Sequence, residues 1–150
     1  MLMTLEELKN KVNSMFLSYQ QKEYGWDDLE DTDKEAALNN ANFEFNRLQY
    51  IGHKVDESQA DAFPRLIYNE TVETPDAIKC AIAIYCMNWI RYMTDETIQD
   101  IKKGVTGVHI GNYSESYKLD TSYLDINTAT YKKYLADWIY RGAVWKERGY

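Results

Sequence analysis

The sequence is poor in the residues that build disulfides, metal centres and rigid turns. Its 150 residues include two cysteines, two histidines and two prolines. Cys80 and Cys86 are separated by about 9 Å along one predicted helix, so they cannot form a disulfide without breaking that helix. His53 and His109 stand alone, and the spacing of a metal-ligand set is missing. We predict two buried free thiols, and neither a metal nor a cofactor.

Long apolar runs and surplus positive charge are also missing. The longest apolar run, Cys80 to Met87, is far shorter than the roughly 20 residues that span a bilayer. The first residues lack the basic and apolar regions of a signal peptide. The net charge is −7, with 24 acidic against 17 basic residues, which opposes binding of nucleic acid or an anionic membrane through a basic surface. We expect a protein made in the cytoplasm, with no membrane partner.

What the sequence does contain is one strongly apolar stretch, Thr74 to Met93, which predicts the central helix. Thr74 and Pro75 favour a helix start. A helix that is apolar nearly all round must be wrapped by other elements, and 150 residues suit one domain with one core. We therefore predict a mainly α fold, a small helical bundle around a long helix at about 75–93. Its large apolar side chains are Ile78, Ile82, Ile84, Tyr85, Trp89, Ile90 and Met93.

Three further helices are predicted around the central one. They span residues 5 to about 24, 33–51, and 128 to about 140. The first two open with capping boxes, in which a threonine and a glutamate three residues later satisfy each other's backbone amides. Each of these two helices ends at a glycine suited to the left-handed stop position. The capping pairs are Thr4 with Glu7 and Thr32 with Glu35, and the glycines are Gly25 and Gly52.

The remaining segments predict loops and short pieces. Residues 58–62 suggest a short helical turn, and residues 94–104 a second amphipathic helix or a bent continuation of the central one. Residues 104–119 hold three glycines and alternating apolar residues, which predicts an irregular or β-hairpin-like arm. The acidic stretch from Glu23 to Glu35 is predicted to be a solvated loop whose charge favours the next helix start. It lacks the ligand spacing of a calcium loop.

Aromatic residues are abundant and point to assembly. The chain holds 13 tyrosines and four tryptophans, and aromatic side chains are enriched where proteins meet. The alternative is that the tyrosines lie half-buried on helix flanks. We divide the chain into one helical domain, residues 1–141, and a basic aromatic tail, residues 142–150. That tail is either a frayed terminus or a docking element for an acidic partner surface.

Three short motifs resemble, in order, those of the small head-tail connector (adaptor) proteins of tailed bacteriophages. This group includes proteins labelled DnaT-like single-stranded DNA-binding proteins. Residues 59–65, QADAFPR, are similar to the family's Q-x-x-x-[FW]-P-R signature, and Thr74-Pro75 opens a helix where the family has Val-Pro or Ile-Pro. Residues 104–117 are similar to its G-V-x-S-x-x-I-G-x-[FY]-S-x-x-Y segment, with Gly107 in place of the common serine. The resemblance covers roughly residues 33–141.

The resemblance implies a mostly helical subunit of a dodecameric ring beneath the phage portal. Such a ring extends the DNA channel, receives a stopper or tail-completion protein, and reaches the portal with the C-terminal part of each subunit. Duplex DNA passes through without specific binding, and acidic walls suit a channel because they do not attract the DNA backbone. We therefore expect a virion protein of the head-tail interface, made in the cytoplasm of the bacterial host.

Two sets of contact residues follow from this hypothesis. The Phe-Pro-Arg turn and the arm are assigned to the interface between subunits, and the end of the last helix with the tail is assigned to portal docking. The alternative for the Phe-Pro-Arg turn is a fixed turn with a packed ring and a surface arginine. The interface set is Phe63, Pro64, Arg65, Val108, Ile110, Tyr113 and Tyr117, and the portal-docking set is Tyr140, Arg141, Trp145, Lys146, Arg148 and Tyr150.

Two other classes of function stay open at this point. A single-stranded DNA-binding module needs a basic groove with stacking rings, and basic residues cluster only near the C-terminus. An enzyme needs a convergent set of reactive groups, and the chain has no nucleophile motif such as G-x-S-x-G. The sequence therefore favours a structural protein without catalytic activity.

Overall fold

The structure, a computed structural model, describes residues 1–94 and 129–140. These ranges contain five helices and a three-stranded antiparallel sheet, so the predicted mainly α class is confirmed. The predicted arm at 104–119, the piece at 94–104 beyond Thr94, and the tail at 142–150 lie outside the described residues. The helices are α1 (Leu5–Met15), α2 (Ser18–Glu23), α3 (Asp31–Asn46), α4 (Asp76–Thr94) and α5 (Ala129–Leu135). The strands are β1 (His53–Lys54), β2 (Arg65–Ile67) and β3 (Glu70–Val72).

Helix α4 is the central helix, as predicted. The Pro75 carbonyl accepts the first two helical hydrogen bonds, so the helix begins one residue later than predicted. Helices α1, α3 and α5 all pack against it. Near the end of α4 one side of the helix faces away from the core, since Trp89 is half-buried and Met93 is 42% exposed, whereas Tyr92 stays buried. The fully or nearly buried side chains of α4 are Ile78, Ala81, Ile82, Ala83, Tyr85, Cys86, Met87, Ile90 and Tyr92.

The single helix predicted over residues 5–24 is two helices. The capping box of Thr4 and Glu7 is confirmed at the start of α1, but Phe16 and Leu17 are extended. The Gln20 side chain accepts a hydrogen bond from the Leu17 amide at 2.8 Å and so caps α2. The prediction of one continuous helix was wrong. Apolar periodicity does not reveal a break in a helix when a side chain accepts the hydrogen bond of the backbone amide that the break leaves free.

Helix α3 begins and ends earlier than the predicted span of 33–51. Its N-cap is Glu30, which makes no side-chain cap hydrogen bond, so the capping box of Thr32 and Glu35 was wrong. Asp31 and Asp33 in the first turn place negative charge at the positive end of the helix dipole. Beyond Asn46 the backbone turns away, because residues 49–51 pair with residues 138–140 instead of continuing the helix.

The sheet follows α3 and lies at its C-terminal end. Gly52 has a φ of 72°, and a Cβ at this position would collide with the Leu66 carbonyl oxygen. The glycine therefore allows the turn into β1, although it does not end a helix. The helical turn predicted at 58–62 is absent, because side chains satisfy these amides: Asp56 accepts from Ser58, and Asn46 accepts from Ala62. The strands pair in the order β1–β2–β3.

Helix α5 is shorter than the predicted helix ending near Tyr140. After Leu135 the chain turns, and Ile139 forms an antiparallel bridge with Tyr50. The Ile51 amide donates to the Trp138 carbonyl at 2.8 Å, and the Tyr140 amide donates to the Gln49 carbonyl at 2.9 Å. The last residues were predicted as helix because their apolar spacing fits one. The amides of Ala136, Trp138 and Ile139 still donate to carbonyls of α5, and only the Tyr140 amide donates to the segment after α3. A local pattern cannot show this pairing.

The two cysteines are free thiols, as predicted. Cys86 is buried and Cys80 is half-buried, so the prediction that both are buried holds only for Cys86. Burial raises the pKa of both thiols, which favours their neutral form.

Two ion pairs join α1 to the start of α4. Lys79 bonds the carboxylate of Glu7, and Lys11 bonds that of Asp76. These groups line a shallow groove of about 360 Å³. The hydrogen bond from Lys79 is the main reason that the pKa of Glu7 lies below its ordinary value of 4.5. A lowered carboxyl pKa stabilises the fold above the unfolded-state pKa, and that stabilisation is lost as pH falls through the folded-state pKa.

Replacing Glu7 by glutamine tests this pair. Glutamine keeps the capping box but loses the charge, so we expect the variant to be less stable near pH 7 by up to about 1 kcal/mol. The difference from the unmodified chain should shrink as pH falls below 4.5. Urea denaturation of both proteins between pH 3 and 7 measures it. A difference that is constant over this range would contradict the assignment to the carboxylate.

Candidate functional site

Arg65 holds the Phe-Pro-Arg turn inside the subunit. It is 9% exposed, and its guanidinium donates four hydrogen bonds of 2.9–3.2 Å to backbone carbonyls. Within the described residues no carboxylate pairs with it, and burial lowers its pKa. The acceptors are the carbonyl oxygens of Tyr50, Ile51, Gly52 and Ala62. Arg65 therefore joins the turn to the segment that follows α3.

Phe63 also lies in the interior. Its ring contacts that of Tyr50 edge-on, with 5.0 Å between the centroids, and the Tyr50 hydroxyl donates to the Phe45 carbonyl at 2.7 Å. The side chains of Phe63 and Arg65 are thus mostly buried within the subunit, and their assignment to the interface stays a prediction. The alternative, a fixed turn with a packed ring and a surface arginine, is right about the ring of Phe63. It is wrong about Arg65, which is buried. The sequence did not show this burial because most of the carbonyls that accept from Arg65 are distant in sequence. Pro64 is half-buried in a cis peptide bond.

The β2–β3 hairpin presents one aromatic ring to solvent. Ile67 pairs with Glu70, which leaves a two-residue turn of Tyr68 and Asn69 with φ values of 51° and 67°. Such a turn favours asparagine and glycine, and a tyrosine in the left-handed region is strained by roughly 1–2 kcal/mol. Tyr68 is 90% exposed, so burial does not compensate for the strain. Strained exposed residues of this kind are candidates for contact with a partner.

We expect Tyr68→Asn to stabilise the isolated chain. Asparagine tolerates positive φ better than tyrosine, and no buried contact is lost, so the unfolding free energy should rise by about 0.5–1 kcal/mol. Urea denaturation measures the change. Tyr140→Asn is the matched control, since Tyr140 is also exposed and has no positive φ. Equal or lower stability of Tyr68→Asn would show that the turn is not strained.

A mostly apolar groove of about 340 Å³ runs between the first half of α3 and the last turns of α4. We call it the α3–α4 groove. Its wall on α4 includes Trp89 and Met93, and Asn40 on α3 donates a hydrogen bond to the Tyr85 hydroxyl at 3.4 Å. The groove is open although its walls carry large apolar side chains. The lining residues are Leu29, Asp33, Ala36, Ala37, Asn40, Trp89, Ile90, Met93 and Thr94.

The surroundings of this groove are acidic. Asp33 lines it, and Leu29 belongs to the segment from Glu23 to Glu35, which carries seven acidic residues. Within the described residues, only Asp31 among these seven forms an ion pair, with Lys9 at 2.9 Å. Lys34 lies over the Trp26 ring, with its amine 4.4 Å from the ring centroid. The groove therefore combines apolar walls with largely uncompensated negative charge.

Tyr140 is the one portal-docking residue in the described ranges, and it is 57% exposed. It borders a shallow depression of about 540 Å³ that also contains Arg65 and residues 48–52. The carbonyls of 50–52 in this depression already bond the guanidinium of Arg65. Arg141, Trp145, Lys146, Arg148 and Tyr150 of the portal-docking set, and Val108, Ile110, Tyr113 and Tyr117 of the interface set, lie outside the described residues. Both assignments stay predictions.

Sequence reasoning missed both surfaces that the structure exposes. Tyr68 is not among the residues that the sequence assigns to a contact. The dipeptide Tyr68-Asn69 between two β-rich triplets is a weak hairpin signal, and it could have pointed to a turn. Trp89 and Met93 were assigned to the core because their spacing matches that of buried residues. Their exposure depends on where α3 ends its contact with α4.

The features described define a mainly α domain with a small antiparallel sheet and several exposed aromatic side chains. Residues 1–94 and 129–140 contain no group of three acidic, histidine or cysteine side chains placed to hold a metal ion. None of their helices is long and apolar enough to cross a membrane. In comparisons with family models, curated proteins and solved structures, no match to the chain was found.

Proposed function

We propose that the chain is a non-catalytic structural subunit that forms the adaptor ring at the head-tail interface of a tailed phage. The observation that supports a ring most strongly is that two exposed features lie at opposite ends of α3. The Tyr68 hairpin belongs to the sheet that follows the C-terminal end of this helix, and the α3–α4 groove lies at its N-terminal half. A ring subunit must bury two different surfaces against its two neighbours.

Other exposed apolar side chains support assembly. Single exposed apolar residues are ordinary, but here they accompany an open groove and a strained aromatic turn. Within the described ranges the large examples include Leu17, Tyr19, Phe43 and Val55, each at least 45% exposed. A surface with several such residues is typical of a protein that buries part of its area against partners.

The partners of the proposed ring follow from the resemblance. The portal lies on one side, and a stopper or tail-completion protein lies on the other. The net charge of −7 suits a channel wall along which duplex DNA slides without counterion release. The same charge opposes the alternative of a single-stranded DNA-binding module, because the groove beside the half-buried Trp89 is lined by the carboxylate of Asp33, and its described lining includes no lysine or arginine.

Mass measurement of the assembled particle tests the proposed function. The purified chain is examined by mass photometry over a wide concentration range, alone and mixed with the portal protein encoded in the same genome. We expect closed rings of about 12 copies, either free or bound to the portal. A chain that is monomeric at every concentration and does not bind the portal would contradict the proposal. Salt-dependent binding of a single-stranded oligonucleotide by such a monomer would favour the alternative.

A further inference from the structure

We infer that the α3–α4 groove binds the basic aromatic tail of a neighbouring copy of the chain. This inference rests on the proposed ring and identifies a contact that closes it. Residues 141–150, RGAVWKERGY, consist of Arg141 and the tail at 142–150, and they carry three basic side chains against one acidic side chain, together with Trp145 and Tyr150. The complementary chemistry is on the same protein, in a mostly apolar groove that contains the carboxylate of Asp33.

The groove offers each part of the tail a matching surface. Its apolar walls, with Trp89 and Met93, suit an aromatic ring, and buried aromatic anchors dominate many interfaces. Asp33 lies in the groove itself and forms no ion pair within residues 1–94 and 129–140. It can therefore accept hydrogen bonds from a guanidinium or an ammonium group. The acidic segment from Glu23 to Glu35 extends the attraction beyond this one contact.

The position of the tail favours a neighbouring copy over the same copy. The tail begins after Tyr140, whose amide bonds the Gln49 carbonyl just beyond the C-terminal end of α3. The α3 wall of the groove runs from Asp33 to Asn40, in the N-terminal half of this 16-residue helix, about 9–20 Å from its C-terminal end. Trp145 extends at most about 18 Å from Tyr140, so it could reach the far part of its own groove only with the chain nearly fully extended along the helix.

A tail that leaves one end of a subunit and binds the other end of the next makes a head-to-tail contact. Such a heterologous contact repeats around a ring and closes it when the rotation between subunits is suitable. The resemblance assigns the tail to the portal instead. The charge of this chain favours the neighbouring groove, and the two partners of the tail can be separated by experiment.

Disulfide trapping in the full chain tests the inference. Met93 is 42% exposed in the groove, so the variant Met93→Cys with Trp145→Cys places one thiol in the groove and one in the tail. Under mild oxidation we expect a ladder of linked multimers on a non-reducing gel, both for the free protein and for portal-bound rings. The ladder should weaken at high salt, because salt screens the attraction between the tail and the acidic segment. The single variants measure the background from Cys80 and Cys86.

The matched control combines Tyr68→Cys with Trp145→Cys, since Tyr68 is exposed but lies at the other end of α3. This pair should give no ladder. A disulfide within a single chain, an equal ladder from the control, or a tail that links only to the portal would overturn the inference. If rings form but the Met93–Trp145 pair gives no ladder, the inference alone fails. If the unmodified chain forms no ring with or without the portal, the proposed function fails.

Discussion

Replacing Arg65 by alanine is expected to lower the unfolding free energy by about 3–5 kcal/mol. The guanidinium bonds four carbonyl oxygens in two separate loops. Each buried carbonyl left without a donor costs about 1–3 kcal/mol. Carbonyls that bind water in the variant lose less, so the total loss of stability is smaller than the sum of four such costs. The turn at residues 62–65 and the segment at 50–52 should loosen together. Urea denaturation measures the stability, and hydrogen exchange identifies the amides that lose protection.

Two further variants separate this role from a general effect of charge. Arg65→Lys keeps the charge, but its three donors cannot reach four carbonyls in the fork geometry, so we expect an intermediate loss. Arg47→Ala removes an exposed arginine that pairs with Glu44 at 3.6 Å, and it should change stability by less than about 0.5 kcal/mol. Similar losses for Arg65→Ala and Arg47→Ala would show that the four hydrogen bonds contribute little.

Arg65 also shows where sequence reasoning ends. A fixed turn with a packed ring was the alternative interpretation of Phe-Pro-Arg, and the burial of Phe63 agrees with it. The fate of the arginine depends on carbonyls at residues 50–52, which approach it because Gly52 turns the chain back beside Leu66. A local sequence pattern does not show how close these carbonyls come to Arg65. Without knowledge of where residues 50–52 lie, an arginine after a proline is therefore predicted to be a surface residue.

The sequence predicted that helices are present more reliably than it predicted the residues at which they end. The apolar density of residues 78–90 requires a buried helix whatever surrounds it, and α4 is that helix. The ends of α3 and α5 depend on each other, since residues 49–51 and 138–140 exchange backbone hydrogen bonds. A glycine at position 52 and a tyrosine at position 140 both looked like helix ends. Pairing between segments separated by almost 90 residues decides the outcome.

The candidate surfaces were less predictable still. Exposure is a property of packing, and Trp89 has the same helical spacing as the buried Ile82 and Ile78. The acidic stretch and the basic tail, by contrast, were visible in the sequence. The structure adds that the acidic stretch borders an apolar groove. Because of this position, the opposite charges of the acidic stretch and the basic tail lead to a specific hypothesis, in which the tail of one copy contacts the groove of another.

Tyr131→Ala is expected to have the second large effect, because Tyr131 attaches α5 to the rest of the domain. Its side chain is fully buried, and its ring contacts those of Phe45 and Tyr85, with centroid distances of 6.3 and 6.2 Å. The Asn88 amide donates to its hydroxyl at 3.0 Å. Removing a buried aromatic ring costs about 3–5 kcal/mol. We expect a loss of this size by urea denaturation.

The pattern of the loss distinguishes docking of α5 from core packing in general. Tyr131→Phe keeps the ring and removes the hydroxyl, which accepts the hydrogen bond from Asn88, so it should cost about 0.5–1.5 kcal/mol. Tyr140→Ala, in the same segment but 57% exposed, should be nearly neutral. In Tyr131→Ala, hydrogen exchange should rise first at residues 129–140 and at Ile51, whose amide donates to the Trp138 carbonyl. Uniform loss of protection over α1, α3 and α4 would contradict this docking role, because it would mean that α5 unfolds only with the whole domain.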